Sequence, residues 1–377
     1  MQAVKVGVIG CGAISDIYLT NMKRTFGGLS VEGISAKHFE NAEKKAAKYQ
    51  IKAYHVEDLL ADSSFELLVI LTPAPTHYEL IKKALLAGKH VYAEKPLATN
   101  TQEAQELLAL AEEKHLLLGC APETFLGSAL QTARAALKDG LLGKISSFHV
   151  VANRDITMLA SILPFLRYPY GGIGYDYGPY YLTALISLLG PMKKVYASVT
   201  NLEKERINSF PDSPDYQKPF LYENESQFHA LLTTKSGITG TFSLNGDSAF
   251  DDEAYFTIHG TNGILLLTDA NGFGGDVRFI PHAFPKKEPL VLPPASPLHF
   301  NCRGIGPAEM ARCIRDGGTP LVDAHMAMHV LEIIEKAVES SRLDLPCALS
   351  STCEIVRPFT DAREFLAENH VEQNEPQ

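Results

Sequence analysis

At 377 residues and 41.2 kDa, with 45% hydrophobic and 21% charged residues, the chain has the balance of a globular protein and length for two or three domains at about 150 residues each. That excludes a lone small binding module and favours an enzyme with a cleft between domains. Asp and Glu outnumber Lys and Arg by 44 to 34, a net charge of −10, and no basic block interrupts the acidic background, so nucleic acid is a poor partner.

Six cysteines (Cys11, Cys120, Cys302, Cys313, Cys347, Cys353) are scattered without a CxxC pair or a His-rich neighbourhood. That argues against a metal site and against a disulfide framework, and in favour of reduced thiols. Val4 to Ile9 is a strand-like apolar run so close to Met1 that no leader fits before it. There is no apolar run of membrane-spanning length. A cytoplasmic location with no membrane association is expected.

Up to residue 122 the chain alternates short apolar runs with amphipathic stretches, the rhythm of βαβ units and a parallel sheet. Strands are predicted at Val4–Ile9, Leu29–Ser35, Leu67–Thr72, His90–Ala93 and Leu116–Cys120, with helices over Asn41–Tyr49 and Thr76–Ala87. One further helix, Gln131–Lys138, precedes β-branched and aromatic runs at Ile145–Ala152, Lys194–Val199, Phe228–Thr233, Gly240–Ser243 and Tyr255–His259. Strands without intervening helices imply a largely antiparallel sheet. Residues 203–225, polar and carrying Pro211, Pro214 and Pro219, read as an exposed excursion of that sheet. Helical periodicity returns over 307–342. The fold class is thus α/β plus α+β: a doubly wound Rossmann domain over 1–122, an open, predominantly antiparallel sheet domain over 123–367, and a polar, frayed tail over 368–377.

The first strand runs into Gly10-Cys11-Gly12-Ala13-Ile14-Ser15, a G-x-G-x-x-S form of the dinucleotide fingerprint. Its first glycine permits the tight turn and its second lets backbone approach a pyrophosphate. The following helix N-terminus then offers unpaired N–H groups to the anion. Strand two ends Ile34-Ser35-Ala36-Lys37-His38, without the carboxylate that would accept from the adenosine ribose of NAD. The Ser35 hydroxyl, Lys37 and His38 suit a 2′-phosphate, so NADP is favoured, with NAD as the alternative. Otherwise Lys37 and His38 are solvated loop residues, and Glu32 or Glu40 serves the ribose.

Further on stand Leu71-Thr72-Pro73-Ala74-Pro75-Thr76-His77, then Val91-Tyr92-Ala93-Glu94-Lys95-Pro96-Leu97-Ala98, then Gly171-Gly172-Ile173-Gly174-Tyr175-Asp176-Tyr177-Gly178-Pro179-Tyr180. With these elements at this spacing the chain resembles the Gfo/Idh/MocA oxidoreductase family over most of its length, and the E-K-P element is the most specific. The resemblance implies a Rossmann domain joined to an open sheet that forms the oligomer interface, hence a homo-oligomer. The family's usual D-x-G-x-H is here Asp176-x-Gly178-x-Tyr180. Members similar to glucose–fructose oxidoreductase and dimeric dihydrodiol dehydrogenase also carry Tyr there.

The resemblance marks Lys95, Asp176 and Tyr180 as the catalytic set, with Thr72, Pro73, His77, Glu94, Lys95 and Pro96 on the cofactor beside the Gly10–Ile14 loop, Ser35 and Lys37. Lys95, just after a parallel strand, is expected to have a depressed pKa beside a cationic nicotinamide and to hydrogen-bond the reacting oxygen. Gly178 and Pro179 read as the N-cap and first position of a helix carrying Tyr180, whose phenol pKa Lys95 would lower. Asp176 either orients substrate or lysine or is only a helix-start carboxylate. His77 walls the nicotinamide or is a satisfied core histidine. Tyr180 belongs to the chemistry or to an aromatic patch with Tyr175, Tyr177 and Tyr181. Arg154, Asp155 and Arg303 are either substrate contacts or surface ion-pair members.

The leading function is NAD(P)-dependent hydride transfer at a hydroxyl-bearing carbon of a sugar, sugar derivative or cyclitol. Two others stay open: redox-neutral glycoside cleavage or epimerisation on a retained cofactor, and a nucleotide-sensing protein without turnover.

Overall fold

The computed structural model describes residues 3–249, 253–283, 285–359 and 361–367. The tail assigned to 368–377 lies outside them.

In the first half, β1 (Val4–Ile9), α1 (Ser15–Arg24), β2 (Leu29–Ser35), α2 (Phe39–Tyr49), β3 (Lys52–Tyr54), α3 (Val56–Ala61), β4 (Leu67–Ile70), α4 (His77–Leu86), β5 (His90–Ala93), α5 (Thr101–Glu113) and β6 (Leu118–Cys120) follow in order. The strands form one parallel sheet in the order β3-β2-β1-β4-β5-β6. Central strands buried on both faces read as unbroken apolar runs, which is why Leu67–Ile70 has no polar partner face. Strand order reverses between β1 and β4, and at such a switch the loops leaving neighbouring strands diverge to open a crevice.

Two strand boundaries of this sheet move from their expected places, and one strand is added. The fourth strand stops at Ile70 instead of Thr72, because Thr72 and Pro73 already turn into a short 3₁₀ segment, Ala74–Thr76. The last strand starts at Leu118, and the three-residue β3, too short to announce itself, is a sixth member of the sheet.

The second half holds α6 (Ser128–Lys138), β7 (Ile145–Asn153), α7 (Ile156–Ile162), α8 (Ile173–Asp176), α9 (Gly178–Leu189), β8 (Met192–Thr200), β9 (Glu205–Ile207), β10 (Pro219–Leu221), β11 (Gln227–Thr234), β12 (Thr239–Asn245), β13 (Glu253–Gly260), β14 (Gly263–Leu267), β15 (Arg278–Pro281), β16 (Leu290–Val291), α10 (Ile305–Asp316), α11 (Ala324–Leu343) and β17 (Cys347–Ala348). Its sheet runs β16-β15-β14-β13-β7-β12-β11-β8-β17, with β7 and β12 parallel and the other pairs antiparallel. Phe148, Phe228, Leu232, Phe242, Phe256 and Ile258 point to one buried face, where the apolar α9 and the helix α11 complete the core. Their alternate neighbours, among them Tyr196, Leu231 and Tyr255, are exposed.

The expected excursion over 203–225 contains the β9–β10 hairpin, tied down by the buried Arg206–Asp247 pair at 2.8 Å. The 307–342 region is two helices, divided at Gly317 and Gly318, both at positive φ. Both helices return to the first sheet: α10 touches α1, β1, β5 and β6, and α11 touches α5 and β6. Leu366 bridges back to Phe26. The crevice at the ends of β1, β4 and β5 is therefore walled by later parts of the chain.

Candidate active site

The loop after β1 is built around Gly10, whose φ of +120° is open to glycine and whose imagined Cβ would stand 2.6 Å from the Leu71 carbonyl oxygen. Gly10 N–H donates to the Ser35 carbonyl (2.9 Å), and Cys11 leans its thiol on the same oxygen at 3.8 Å. Ser15, at the third glycine position, donates from Oγ to the Gly12 carbonyl at 2.6 Å and closes the turn. Gly12 and Ala13 are exposed, a Cβ on Gly12 would meet nothing within 4 Å, and Ile14 leaves the start of α1 without a side-chain cap. Open space above unsatisfied helix N–H groups is what a pyrophosphate requires, so the residues present fit a dinucleotide.

Two expectations at the adenosine end change. Ser35 is fully buried and its hydroxyl has no partner among the described residues, so strand pairing withdraws it from a 2′-phosphate. Lys37 and His38 remain exposed beside the loop, and Glu32 is engaged by Lys5 Nζ at 2.9 Å.

At the nicotinamide end, Thr72 and Pro73 leave β4, and Glu94, Lys95 and Pro96 leave β5. His77, at the start of α4, joins the two loops: Nδ1 lies 2.7 Å from the Pro96 carbonyl oxygen and Nε2 2.7 Å from that of Thr72. Fully buried, His77 stands behind the cofactor wall rather than in it and acts as a clamp. Burial holds its pKa below the usual range although both carbonyls pull the other way.

Lys95 crosses the crevice. Its ammonium donates to Asp176 Oδ1 and to the Asp176 carbonyl, each at 2.6 Å, and lies 5.1 Å from the centre of the Tyr180 ring. The three residues placed together by resemblance are therefore together in space, contributed by β5, α8 and α9. Asp176 ends the short α8, whose start is held by Glu225: the carboxylate accepts from Gly174 N–H at 3.0 Å. It occupies the space that a Cβ on Gly172 would need. Helix α9 begins at Gly178 with Tyr177 as its cap, one residue before the expected Gly178 cap, and Pro179 sits within the first turn, where its missing N–H costs nothing.

The expected pKa directions at Lys95 and Tyr180 reverse. Burial lowers the Lys95 pKa, but Asp176, Tyr180 and Glu94 together more than offset it, so the ammonium is held well above its usual range. Burial raises the Tyr180 phenol and outweighs the opposite pull of Lys95. Both groups keep their protons at neutral pH.

Arg154 and Asp155 are structural. Arg154 is buried, paired with Asp269 at 2.6 Å and donating to Tyr181 Oη at 2.9 Å, and Asp155 caps α7 through Met158 N–H.

Behind Glu94 lies a cluster that sequence reasoning missed. Tyr18 Oη is 2.7 Å from Glu94 Oε1 and 3.0 Å from Glu123 Oε2, and Tyr92 Oη bonds the same Glu123 oxygen. Glu123 Oε1 accepts from Gly304 N–H at 2.7 Å. Two phenols thus share two proton donors among three contacts to carboxylates, with the Tyr18 hydroxyl divided between Glu94 and Glu123. Burial, then the Glu94 charge, raises the Glu123 pKa, against the opposite pull of Tyr92, the Gly304 N–H and Arg303. The only signal in the sequence is a lone Glu in the otherwise uncharged run Leu116–Leu126, a weak one.

Family comparison agrees with this fold. Residues 4–121 match the model of the oxidoreductase family with an NAD-binding Rossmann fold, and 130–266 match the GFO/IDH/MocA C-terminal domain. The chain belongs to the Gfo/Idh/MocA family. It is an NAD(P)-dependent oxidoreductase, which sets aside the sensing protein without turnover. An uncharacterised oxidoreductase of Schizosaccharomyces pombe is 31% identical over a stretch covering 55% of this chain and 56% of that protein. The scyllo-inositol 2-dehydrogenase (NADP(+)) IolW of Bacillus subtilis is 24% identical over 91% of this chain and 95% of its own. Among solved structures, the apo form of levoglucosan dehydrogenase superposes with a TM-score of 0.81 at 18% identity, covering 94% of this chain and all of that one, a likeness of fold. Among the described residues no helix is long and apolar enough to cross a membrane, and no group of three His, Cys, Asp or Glu could hold a metal ion.

Proposed function

We propose that the protein is an NADP-preferring dehydrogenase that oxidises, or in reverse re-forms, a hydroxyl-bearing carbon of a sugar, sugar derivative or cyclitol. The observation that carries this reading is the Lys95 ammonium, which leaves the Rossmann edge and ends on the Asp176 carboxylate beside the Tyr180 phenol. The inositol dehydrogenase likeness supports the substrate class, and the exposed Lys37 and His38 beside a strand end without a carboxylate support NADP.

Gly10, Cys11, Gly12, Ala13 and Ile14 would cradle the pyrophosphate, Lys37 a 2′-phosphate, and Thr72, Pro73, Glu94, Lys95 and Pro96 the nicotinamide edge. When bound, the nicotinamide supplies the hydride acceptor or donor. Lys95, held protonated, is the charged donor that grips the reacting oxygen and stabilises it as it becomes anionic. A protonated lysine cannot itself take the alcohol proton. Asp176 Oδ1, already sharing a proton with Lys95 Nζ, receives it, and Tyr180 Oη gives the same oxygen a second, neutral hydrogen bond. In the second domain, the exposed face with Tyr196, Leu231 and Tyr255 is where a second copy would dock. The unpaired thiols suit a reducing cytoplasm.

The test is the absorbance of reduced nucleotide formed with NADP or NAD over a polyol panel, in wild type and Lys95→Met. We expect turnover with NADP on at least one polyol and a loss in the variant of about 10²–10⁴-fold, with the thermal shift given by NADP kept. An unaltered rate in the variant would remove Lys95 from the chemistry.

A further inference from the structure

Of the three polar residues that the sequence leaves open as substrate contacts, Arg154 is held in an ion pair and Asp155 in a helix cap, and Arg303 is the one that the structure ties into neither. It lies just before α10, half-buried, between the rings of Tyr180 and Phe273, whose centres are 5.9 and 5.8 Å from the guanidinium carbon. Its Nη1 donates to Asn301 Oδ1 and its Nη2 to Asn271 Oδ1, each at 3.0 Å, and the guanidinium hydrogen-bonds Tyr180 as well. These partners are neutral amides and a phenol that keeps its proton. No carboxylate among the described residues lies within ion-pair distance of it. Glu123 acts on its charge only from beyond ion-pair distance, and its carboxylate is already engaged by Tyr18, Tyr92 and the Gly304 N–H.

The two fully buried arginines among the described residues of the second domain are matched differently, each by a carboxylate. Arg154 has Asp269 and Arg206 has Asp247. A guanidinium oriented by two amides, lying within 6 Å of the centres of two rings and hydrogen-bonded to Tyr180, keeps a full charge and unspent N–H donors. An arrangement of that kind preorganises a fork for an oxyanion.

The geometry points to Arg303 as a specificity-determining residue for a substrate that carries an oxyanion, a carboxylate or a phosphate, on the carbon chain beside the hydroxyl being oxidised. The inference rests on the dehydrogenase reading above and narrows its substrate class from neutral polyols to acidic ones, such as aldonic or uronic acids and sugar phosphates. Lys95 grips the reacting oxygen while Arg303, beside the same Tyr180 ring, anchors the charge. The same chemistry could come from a second source, the phosphates of the cofactor, and the two are separable.

The experiment compares kcat/KM for matched pairs, a neutral polyol against its carboxylated and phosphorylated counterparts, in wild type, Arg303→Met and Arg303→Lys. Wild type is expected to prefer a charged member by about tenfold or more. Arg303→Met should bring that ratio close to one through KM, and Arg303→Lys should recover part of it. The thermal shift given by NADP should be the same in all three. A wild-type enzyme indifferent to the charge overturns the proposal, as does a ratio unchanged in Arg303→Met. A loss of the NADP shift in Arg303→Met assigns the residue to the cofactor and overturns it equally. If no polyol of either kind is oxidised, the dehydrogenase reading fails separately. The ratio is then read as the thermal shift that charged and neutral ligands give the NADP-loaded protein, equal shifts in wild type and Arg303→Met overturning the role of Arg303.

Discussion

The two sheets of this molecule solve the same problem in opposite ways. The central strands of the six-stranded parallel sheet are covered on both faces, so β4 is buried at every position, and the sheet meets its surroundings at the carboxyl ends of its strands. The nine-stranded sheet is covered on one face alone, so β11 alternates buried Phe228, Ala230 and Leu232 with exposed His229 and Leu231. Closed faces push chemistry to the edge of the first sheet, where the loops carrying Gly10, Thr72 and Lys95 diverge. An open face leaves the second sheet free for association, and its helices α8 and α9 face the crevice with Asp176 and Tyr180. The sharpest difference between the two should therefore be how each responds to a charge or a methyl group added at one point.

The largest effect is expected on the open face. Leu231 stands opposite Tyr196 on β8 and Thr241 on β12, in the middle of the exposed surface. In a symmetric assembly Leu231→Glu puts two carboxylates into one interface, a cost of roughly 3–5 kcal/mol. Sedimentation should find wild type at a multiple of 41.2 kDa and the variant at 41.2 kDa. A wild type that is monomeric, or a variant that assembles equally well, would mean that this face is not the interface.

Next comes a histidine of the covered face. His329 on α11 accepts from the Met192 N–H at 3.0 Å, where β8 begins, and its Nδ1 meets Ser351 Oγ at 2.7 Å. Burial lowers its pKa to about 4. Because the folded value lies below the unfolded one of about 6.5, the unfolded chain binds the proton more readily. Stability from this group is thus complete above pH about 6.5 and is lost as pH falls towards 4, to a total of about 3 kcal/mol. His329→Gln should be less stable than wild type at pH 7, and denaturant midpoints should show that deficit shrinking at pH 5. A constant deficit would mean that His329 does not titrate on unfolding.

The same contrast explains how much of the fold is legible in the sequence. The runs Val4–Ile9, Leu29–Ser35 and His90–Ala93 have the bounds expected of them, since each is mostly apolar and ends abruptly at a glycine or polar residue. The glycine loop and the E-K-P element are local, and so were legible. Side-chain environments are not local. Lys95 and Asp176 are 81 residues apart, and resemblance could group them without giving the distance that decides the Lys95 pKa. A depressed value assumes that desolvation dominates, whereas a carboxylate at 2.6 Å reverses the sign. The Ser35 hydroxyl was misjudged for a similar reason. Its position at the strand end was right, but a period-two strand turns alternate side chains inward, and burial of Ser35 depends on its neighbours. Glu123 carried no motif at all.

The smallest effects separate two glycines two residues apart in the closed-sheet domain. Gly10 holds a positive φ, and a methyl group there would strike the Leu71 carbonyl at the end of β4. Gly12 has no atom within 4 Å of where its methyl would go. Gly10→Ala should therefore cost roughly 1–3 kcal/mol of stability through strain and a forced shift of the β1 and β4 ends, and lose cofactor affinity with it. Gly12→Ala should keep stability within about 0.5 kcal/mol and still weaken binding, because the space its methyl fills is the space a pyrophosphate needs to reach the backbone. Denaturant midpoints and the NADP thermal shift, measured on both variants, distinguish the two roles. Equal losses of stability would mean that the loop is strained as a whole, and full NADP binding by Gly12→Ala would mean that the dinucleotide does not lie against this turn.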